Sequence, residues 1–400
     1  MDFLSFSMNY WEDLWQSRHY VMSRLATRHK VLFVSPPAYI RDLLDSKKRG
    51  DLPLSGLQMR SENLYSLVPP RFLFTNQRIG FVDRVFAQLR EVQIRRLMRN
   101  LHFREVVLFI WNPRFADVLG KFGEVLSCYY VDEEFTSYYN MTEPEKQQVR
   151  DREEILLRNV DLVFANGSTL QGQKSRYGNA LNVPMGVDFE LFSRALSEDT
   201  VVPPDLAAIR RPRIGYIGNV NDKVDFELLE SIARSRPEWS LVLVGPISVR
   251  QPDFRSSLER LRVLPNVHFL GYQPLPMLPS YLRGLDVCLM CYRTDGWAHY
   301  GYPLKLHEYL AGGKPVVGSD LPSIREFSAV ISIVRTSEEW QQAIETSLAG
   351  SSILSIERRV DVARQNTWEQ RVRVIEDAIV LKIAEKRSRQ LHRTSHAGCT

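Results

Sequence analysis

The sequence predicts an α/β protein made of two doubly wound domains that face each other across a cleft. Three observations carry that prediction. Short β-branched runs alternate with longer helical patterns throughout, which is the grammar of βαβ units and parallel sheets. The grammar restarts at Arg213-Ile214-Gly215-Tyr216-Ile217-Gly218, as a second domain would. Finally, 400 residues exceed one ordinary core at about 150 residues per domain.

In the first half, strands are expected near Lys30 to Ser35, Glu105 to Ile110, Val125 to Val131 and Asp161 to Ala165, and Met1 to Ser7 reads as a first strand. Helical patterns fall near Trp15 to Arg28, Gly80 to Asn100, Arg114 to Phe122, Glu143 to Asn159 and Ser168 to Tyr177. The second half offers strands at Leu241 to Val244, Val267 to Leu270, Asp286 to Tyr292 and Pro315 to Gly318. A polar, Pro-containing stretch from Ser193 to Pro212 marks the boundary. A last helical pattern, Trp368 to Ile383, follows the second domain, and the charged tail Lys386 to Thr400 is polar enough to be disordered. Ligands of open α/β sheets bind outside the carboxyl ends of the strands, so the cleft is the place to seek a site.

Composition narrows the class. Apolar residues at 44% and charged residues at 25% are those of a soluble globular enzyme. No apolar run approaches the roughly 20 residues that span a bilayer, and the N-terminus has no basic segment ahead of its apolar residues. Four cysteines without an export signal argue for a reducing compartment, so the cytoplasm is expected and the sequons at Asn140 and Asn166 are accidental. A net charge of +5 does not call for nucleic acid. Cys288-Leu289-Met290-Cys291 lies in a run of strand character with no second pair to complete a zinc site, and reads as core.

The charge is uneven, however. Arg71 to Arg104 holds eight arginines against Asp83 and Glu91, with Val82, Val85, Phe86, Leu89, Leu97 and Met98 recurring at helical spacing. Two readings stand: a basic amphipathic helix drawn to anionic headgroups on the inner face of the cytoplasmic membrane, or a solvated face over an ordinary core stripe.

The most informative segment runs from Gly301 to Val317. Pro303 suits a first helical position and Gly312 the residue just past the end, which bounds a short helix. Lys305 in its first turn is opposed by the helix dipole unless an anion docks there, and Glu308, three residues on, shares its face. A phosphate beside a sugar would suit the pair, as an ordinary surface Lys/Glu pair also would. Gly215 to Lys223 forms a strand-to-helix turn in which Gly218 lets backbone approach a diphosphate and Lys223 can neutralise it. It is not a G-x-G-x-x-G, so no dinucleotide fingerprint is present.

These residues resemble a family. Gly215 to Gly218, Leu243-Val244-Gly245-Pro246, Asn266 to Gly271, Leu285-Asp286-Val287 and Pro303 to Val317 occur in the order seen in bacterial GT-B glycosyltransferases of the family-four-like group, the teichuronic-acid and exopolysaccharide type. The first half is similar through Trp15-Gln16-x-Arg18-His19, Leu32-Phe33-Val34-x-Pro36-Pro37, Tyr130-Val131-Asp132-Glu133, and Asp161 to Phe164 leading to Met185-Gly186-Val187-Asp188. The resemblance implies a GT-B fold with an acceptor-side Rossmann-like domain at 1–192 and a nucleotide-sugar-binding one at 193–367. A helix at 368–385 returns to the first domain, with the tail at 386–400. It implies transfer of a sugar from a nucleoside-diphosphate sugar to a glycan or lipid-linked acceptor in polysaccharide or cell-envelope synthesis.

By position, Glu308 would hold the donor ribose, Lys305 and the backbone of Pro303 and Leu304 would face the diphosphate with Gly218 opposite, and the backbone from Phe269 to Tyr272 would contact the base. With no D-x-D pair at a strand end, Lys305, Lys223 and helix N-termini are expected to hold the leaving group without a metal or other cofactor. One departure matters: many retaining members carry a glutamate eight positions before the ribose-binding one, and here Tyr300 stands there. Distant inverting relatives instead resemble the strand-then-Asp arrangement at Asp132, which makes Asp132 the candidate base, unless it merely caps the next helix. Arg18 and His19 are placed to line the same cleft. A sugar-nucleotide 2-epimerase of the same fold, or a non-catalytic membrane adaptor derived from it, are the alternatives.

Overall fold

The computed structural model describes residues 1–75, 80–139, 141–350 and 353–397. Its first sheet holds β1 (Asp2–Phe6), β2 (Val31–Val34), β3 (Gly56–Ser61), β4 (Leu64–Val68), β5 (Val106–Ile110), β6 (Leu126–Val131), β7 (Leu162–Ala165) and β8 (Ala180–Asn182), ordered β3-β4-β2-β1-β5-β6-β7-β8. The second holds β9 (Arg213–Ile217), β10 (Ser240–Val244), β11 (Val267–Gly271), β12 (Val287–Met290), β13 (Val316–Ser319) and β14 (Ser332–Val334), ordered β11-β10-β9-β12-β13-β14. Every pairing is parallel except β3 with β4.

The central strands are buried on both faces, which explains why β5 (Val-Val-Leu-Phe-Ile) and β10 (Ser-Leu-Val-Leu-Val) are near-continuous apolar runs. Two cores flank the first sheet. One takes in Phe3, Phe33, Phe109, Trp111 and Phe164, the other Leu4, Leu108, Val131 and Leu156. A third surrounds the second sheet and also takes in Val187, Phe192, Ala195 and Leu206. Cys288 and Cys291 are fully buried there as free thiols.

The helix Trp368–Ala397 lies against the first domain, burying Trp368, Val372, Ile375 and Ile379 in its core and stacking Trp368 on Tyr20 at 5.0 Å. The charged run from Lys386, expected to be disordered, continues this helix, with Lys386 paired to Asp161 at 2.8 Å and Arg387 to Glu105. Partners on the domain surface order what composition alone would leave solvated. Residues 398–400 of that tail, with Cys399, lie outside the described residues, as do Arg78 of the basic run and the sequon residue Asn140.

Over Gly80–Asn100 the basic run is one helix, but its core side is Ile94 and Met98, with Leu97 half-buried. Leu89, expected in the core stripe, is exposed. It shares its face with Phe81 and Val92, exposed at 70% and 61%, and with Arg95, Arg96 and Arg99. Phe72 is exposed on the preceding turn Arg71–Leu73. Arg90 turns back to donate to the carbonyl of Leu73 at 2.6 Å, so it belongs to the fold and not to the surface. Among the described residues, no helix is long and apolar enough to cross a membrane.

Candidate active site

A cleft of about 800 Å³ opens where the carboxyl ends of the two sheets face each other. Its second-domain wall is set by backbone first. Gly218 ends β9 with φ +143° and donates its N–H to the carbonyl of Val244 at 2.8 Å, while Gly245 ends β10 with the same φ. A Cβ at Gly245 would meet the Gly218 carbonyl oxygen at 2.0 Å, and one at Gly218 would meet Cε of Lys305 at 2.7 Å. Glycine at 218 is therefore what lets the lysine reach the strand end.

The helix carrying Lys305 is Lys305–Ala311, starting two residues later than the sequence suggested: Pro303 precedes the cap Leu304. Its left-handed exit is Gly313 at φ +67°, not Gly312, which stays near −80°. Tyr309 pins the helix to β9, its hydroxyl oxygen accepting from the N–H of Ile217 at 2.8 Å. Lys305 donates to the Tyr292 hydroxyl at 2.6 Å and lies over the rings of Tyr216 and Tyr292 at 4.9 and 5.2 Å. Burial, opposed by Glu308, pushes the Lys305 ammonium below its usual range, and burial, opposed by Lys305, pushes Glu308 up. Each member of the pair is thus costly to keep charged in the cleft.

The first-domain wall centres on Asp132, which directly follows β6 and is buried. The capping role open to it is filled by Glu134, whose side chain accepts from the N–H of Thr136 at 3.3 Å. Glu134 is held below by buried Lys174, 2.7 Å from it and 2.9 Å from Glu153. Asn166 donates to the Asp132 carbonyl at 3.1 Å and is itself buried. The loop is thus fixed and the Asp132 carboxylate left for the cleft, with Arg18 Nη1 at 3.3 Å from Oδ2 and Oδ1 unpartnered. Burial raises Asp132 to about 6, against the lowering pull of Arg18.

Of the residues singled out from the sequence, Gly218, Lys223, Tyr272, Pro303, Leu304, Lys305, Glu308, Arg18 and Asp132 all line the cleft. Two do not. Phe269, on the edge strand β11, packs against the core around the second sheet with Arg262 over its ring at 5.6 Å. His19 is buried and spent on the fold: Nδ1 accepts from the N–H of Gln16 at 3.1 Å, closing a capping box, and Nε2 lies 3.0 Å from the Tyr10 carbonyl oxygen. Burial lowers it to about 4, so it is neutral.

Several lining residues escaped sequence reasoning. Trp297 stacks under Lys223, whose Nζ is 3.7 Å from its ring centroid, and packs on Tyr138 at 4.9 Å. Tyr139 crosses to the second domain, donating to the Asp295 carbonyl at 3.1 Å and packing on Phe254. The segment Met8 to Gln16 contributes Trp11 and Trp15. Among the described residues, no cluster of three or more His, Cys, Asp or Glu side chains is placed to hold a metal ion.

Residues 211–349 match the family described as Glycosyl transferases group 1. The putative teichuronic acid biosynthesis glycosyltransferase TuaH of Bacillus subtilis is 34% identical over 144 residues, which are 35% of this chain and 34% of that protein. This chain therefore matches about a third of that relative's length. Among solved structures, sucrose-phosphate synthase from Thermosynechococcus elongatus superposes with a TM-score of 0.71 at 14% identity, covering 96% of this chain and 100% of that one. Anabaena HepE in complex with UDP does so with a TM-score of 0.64 at 13% identity, covering 95% and 100%. The two-domain architecture is thus the GT-B fold, and the second domain, over residues 211–349, is similar to the group 1 glycosyl transferases.

Proposed function

We propose that the chain transfers a sugar from a nucleoside-diphosphate sugar to a hydroxyl of a glycan or lipid-linked acceptor in the building of a cell-envelope polysaccharide. The observation that carries this reading is the meeting, in one cleft, of Lys305, Glu308 and Gly218 on one wall with the buried, partly unpartnered carboxylate of Asp132 on the other. Lys305, with Lys223, binds the diphosphate, Glu308 accepts from ribose hydroxyls, and Tyr272 meets the base. Asp132 takes the acceptor's hydroxyl proton as that oxygen bonds to the anomeric carbon. The bond from that carbon to the diphosphate oxygen breaks, and its electron pair leaves with the nucleoside diphosphate. Lysines and backbone N–H groups stabilise the departing charge, and no metal is needed.

Uridine nucleotides are the first to test, because the Anabaena neighbour was solved with UDP. The experiment is a screen of nucleoside-diphosphate sugars for thermal stabilisation and slow donor hydrolysis, with and without chelator. Stabilisation and hydrolysis by one donor, unchanged in chelator, is the expected result. No response to any donor sinks the reading.

The same reading includes peripheral attachment to an anionic membrane surface. Its support is the exposed face of Gly80–Asn100, where Phe81, Leu89 and Val92 lie among arginines, together with the exposed Phe72 on the preceding turn.

A further inference from the structure

The two walls of the cleft carry opposite charge. Lys223, Arg250 and Lys305 stand on the donor wall against Asp222 and Glu308, whereas the first-domain wall presents Glu12, Asp13, Asp132 and Glu133. Arg18, the one cation among the described residues that line it, faces Asp132 at 3.3 Å, and Lys223 is already held by Glu133 at 3.0 Å. Glu12 pairs outward with Arg60, and Asp13 accepts from Asn9 and from the N–H of Tyr10, so that strip is braced with its carboxylates in place.

Besides Oγ of Ser17, which can donate or accept, two buried atoms on this wall lack partners: Oδ1 of Asp132, which can only accept, and Nε of Arg18, which can only donate. Both residues are more than nine-tenths buried and line the cleft. A hydroxyl satisfies both, donating to one and accepting from the other. A phosphate or carboxylate would satisfy Arg18 alone and set like charge against Asp132. In the same cleft, Trp11 and Trp15 are half-buried, 5.8 Å apart edge to face, offering the apolar surface that the C–H face of a pyranose covers.

We infer that the reacting end of the acceptor is an uncharged pyranose, with its hydroxyl between Asp132 Oδ1 and Arg18 Nε and its C–H face against Trp11 and Trp15. The wall thereby selects against a phosphate or carboxylate on that sugar. This rests on the transfer reading above and sharpens its acceptor. Charges farther along a glycan or lipid carrier fall outside the wall and are not discriminated.

The test uses the full chain saturated with UDP, or with whichever nucleoside diphosphate stabilises it. Intrinsic tryptophan fluorescence is followed during titration with matched probes: methyl glucoside, glucose 6-phosphate and glucuronate, then methyl galactoside, galactose 6-phosphate and galacturonate. Trp15→Phe assigns the signal. A neutral member should perturb the fluorescence, with its charged counterparts binding at least about tenfold more weakly. Glu12→Lys, at an exposed position, should narrow that gap. Equal or tighter binding of the charged member, or no perturbation by any neutral sugar in the nucleotide-loaded protein, overturns the inference. Absence of nucleotide stabilisation would instead strike the transfer reading itself, so the two failures are told apart.

Discussion

Glu133 of the first domain and Lys223 of the second meet across the cleft, Oε1 to Nζ at 3.0 Å, with Tyr138 also bonded to Glu133 and Trp297 beneath the lysine. Despite its burial, Glu133 is held below the usual carboxylate range by Lys223 and Tyr138. A diphosphate that claims Lys223 must therefore displace Glu133. Replacing Glu133 by Gln should tighten nucleoside-diphosphate binding by about two- to fivefold, the scale of a partly exposed ion pair. Titration calorimetry decides it, and weaker binding would mean that Glu133 organises the donor site and does not compete for it.

Lys305 and Glu308 invite opposite outcomes for binding and stability. Lys305→Met removes a charge-assisted contact to phosphate, so donor affinity should fall about ten- to a hundredfold. The buried, downward-shifted ammonium is a burden on the fold, so the melting temperature of the protein without nucleotide should hold or rise. A fall in both would make Lys305 chiefly structural. Glu308→Gln should weaken nucleoside diphosphate while leaving inorganic pyrophosphate binding nearly unchanged.

Asp132 sets the pH dependence. A base works deprotonated, and burial raises this carboxyl to about 6, so transfer should climb with pH through about 6 and then level. Stability runs the other way. Because the folded pKa lies above the unfolded one, the folded state holds the extra proton between them, and its contribution to stability is lost as pH rises through about 6. Asp132→Asn should lower the rate by about 10²- to 10⁴-fold and remove that limb of the profile while donor affinity persists. A mutant rate that keeps the limb would assign the base elsewhere.

Much of this arrangement was legible in the sequence because it depends on local chemistry. The apolar runs of β5, β6 and β10 and the 17-residue helix Glu143–Asn159 announce themselves by period and by capping residues. The antiparallel edge strand β3, Gly-Leu-Gln-Met-Arg-Ser, did not, because it is buried on neither face and takes its form from pairing with β4. In the site, Lys305, Gly218 and Asp132 lie at strand ends and helix starts, where position alone predicts a cleft. His19 looked equivalent to Arg18 because nothing in one sequence says which of two adjacent helical residues turns inward to the Tyr10 carbonyl. Glu133, Trp297 and Tyr138 were missed because their roles arise from contacts across domains, between residues 90 positions apart for Glu133–Lys223 and 159 apart for Tyr138–Trp297.

Gly218 should tolerate no side chain. At φ +143°, with Cε of Lys305 2.7 Å from where a Cβ would stand, Gly218→Ala must strain the backbone or move the lysine. Strain of about 1–3 kcal/mol is expected in thermal denaturation, with a loss of donor affinity similar to that of Lys305→Met. If affinity survives, the lysine has another route to the diphosphate.

The exposed face of Gly80–Asn100 makes a prediction that separates its two components. Arginines near an anionic surface contribute about 1 kcal/mol each at low salt and are screened beyond about 8 Å at physiological ionic strength. Sedimentation with phosphatidylglycerol-rich vesicles should therefore be strong at low salt and weak at high salt, and absent with neutral phosphatidylcholine. Phe81 is exposed at 70% and Phe72 at 71%, so Phe81→Asp with Phe72→Asp should abolish sedimentation without lowering the melting temperature, since neither ring is core. If the double variant still sediments like the parent, the apolar side chains do not insert and any attachment is electrostatic alone. If the parent never sediments, the helix is a solvated face over Ile94 and Met98.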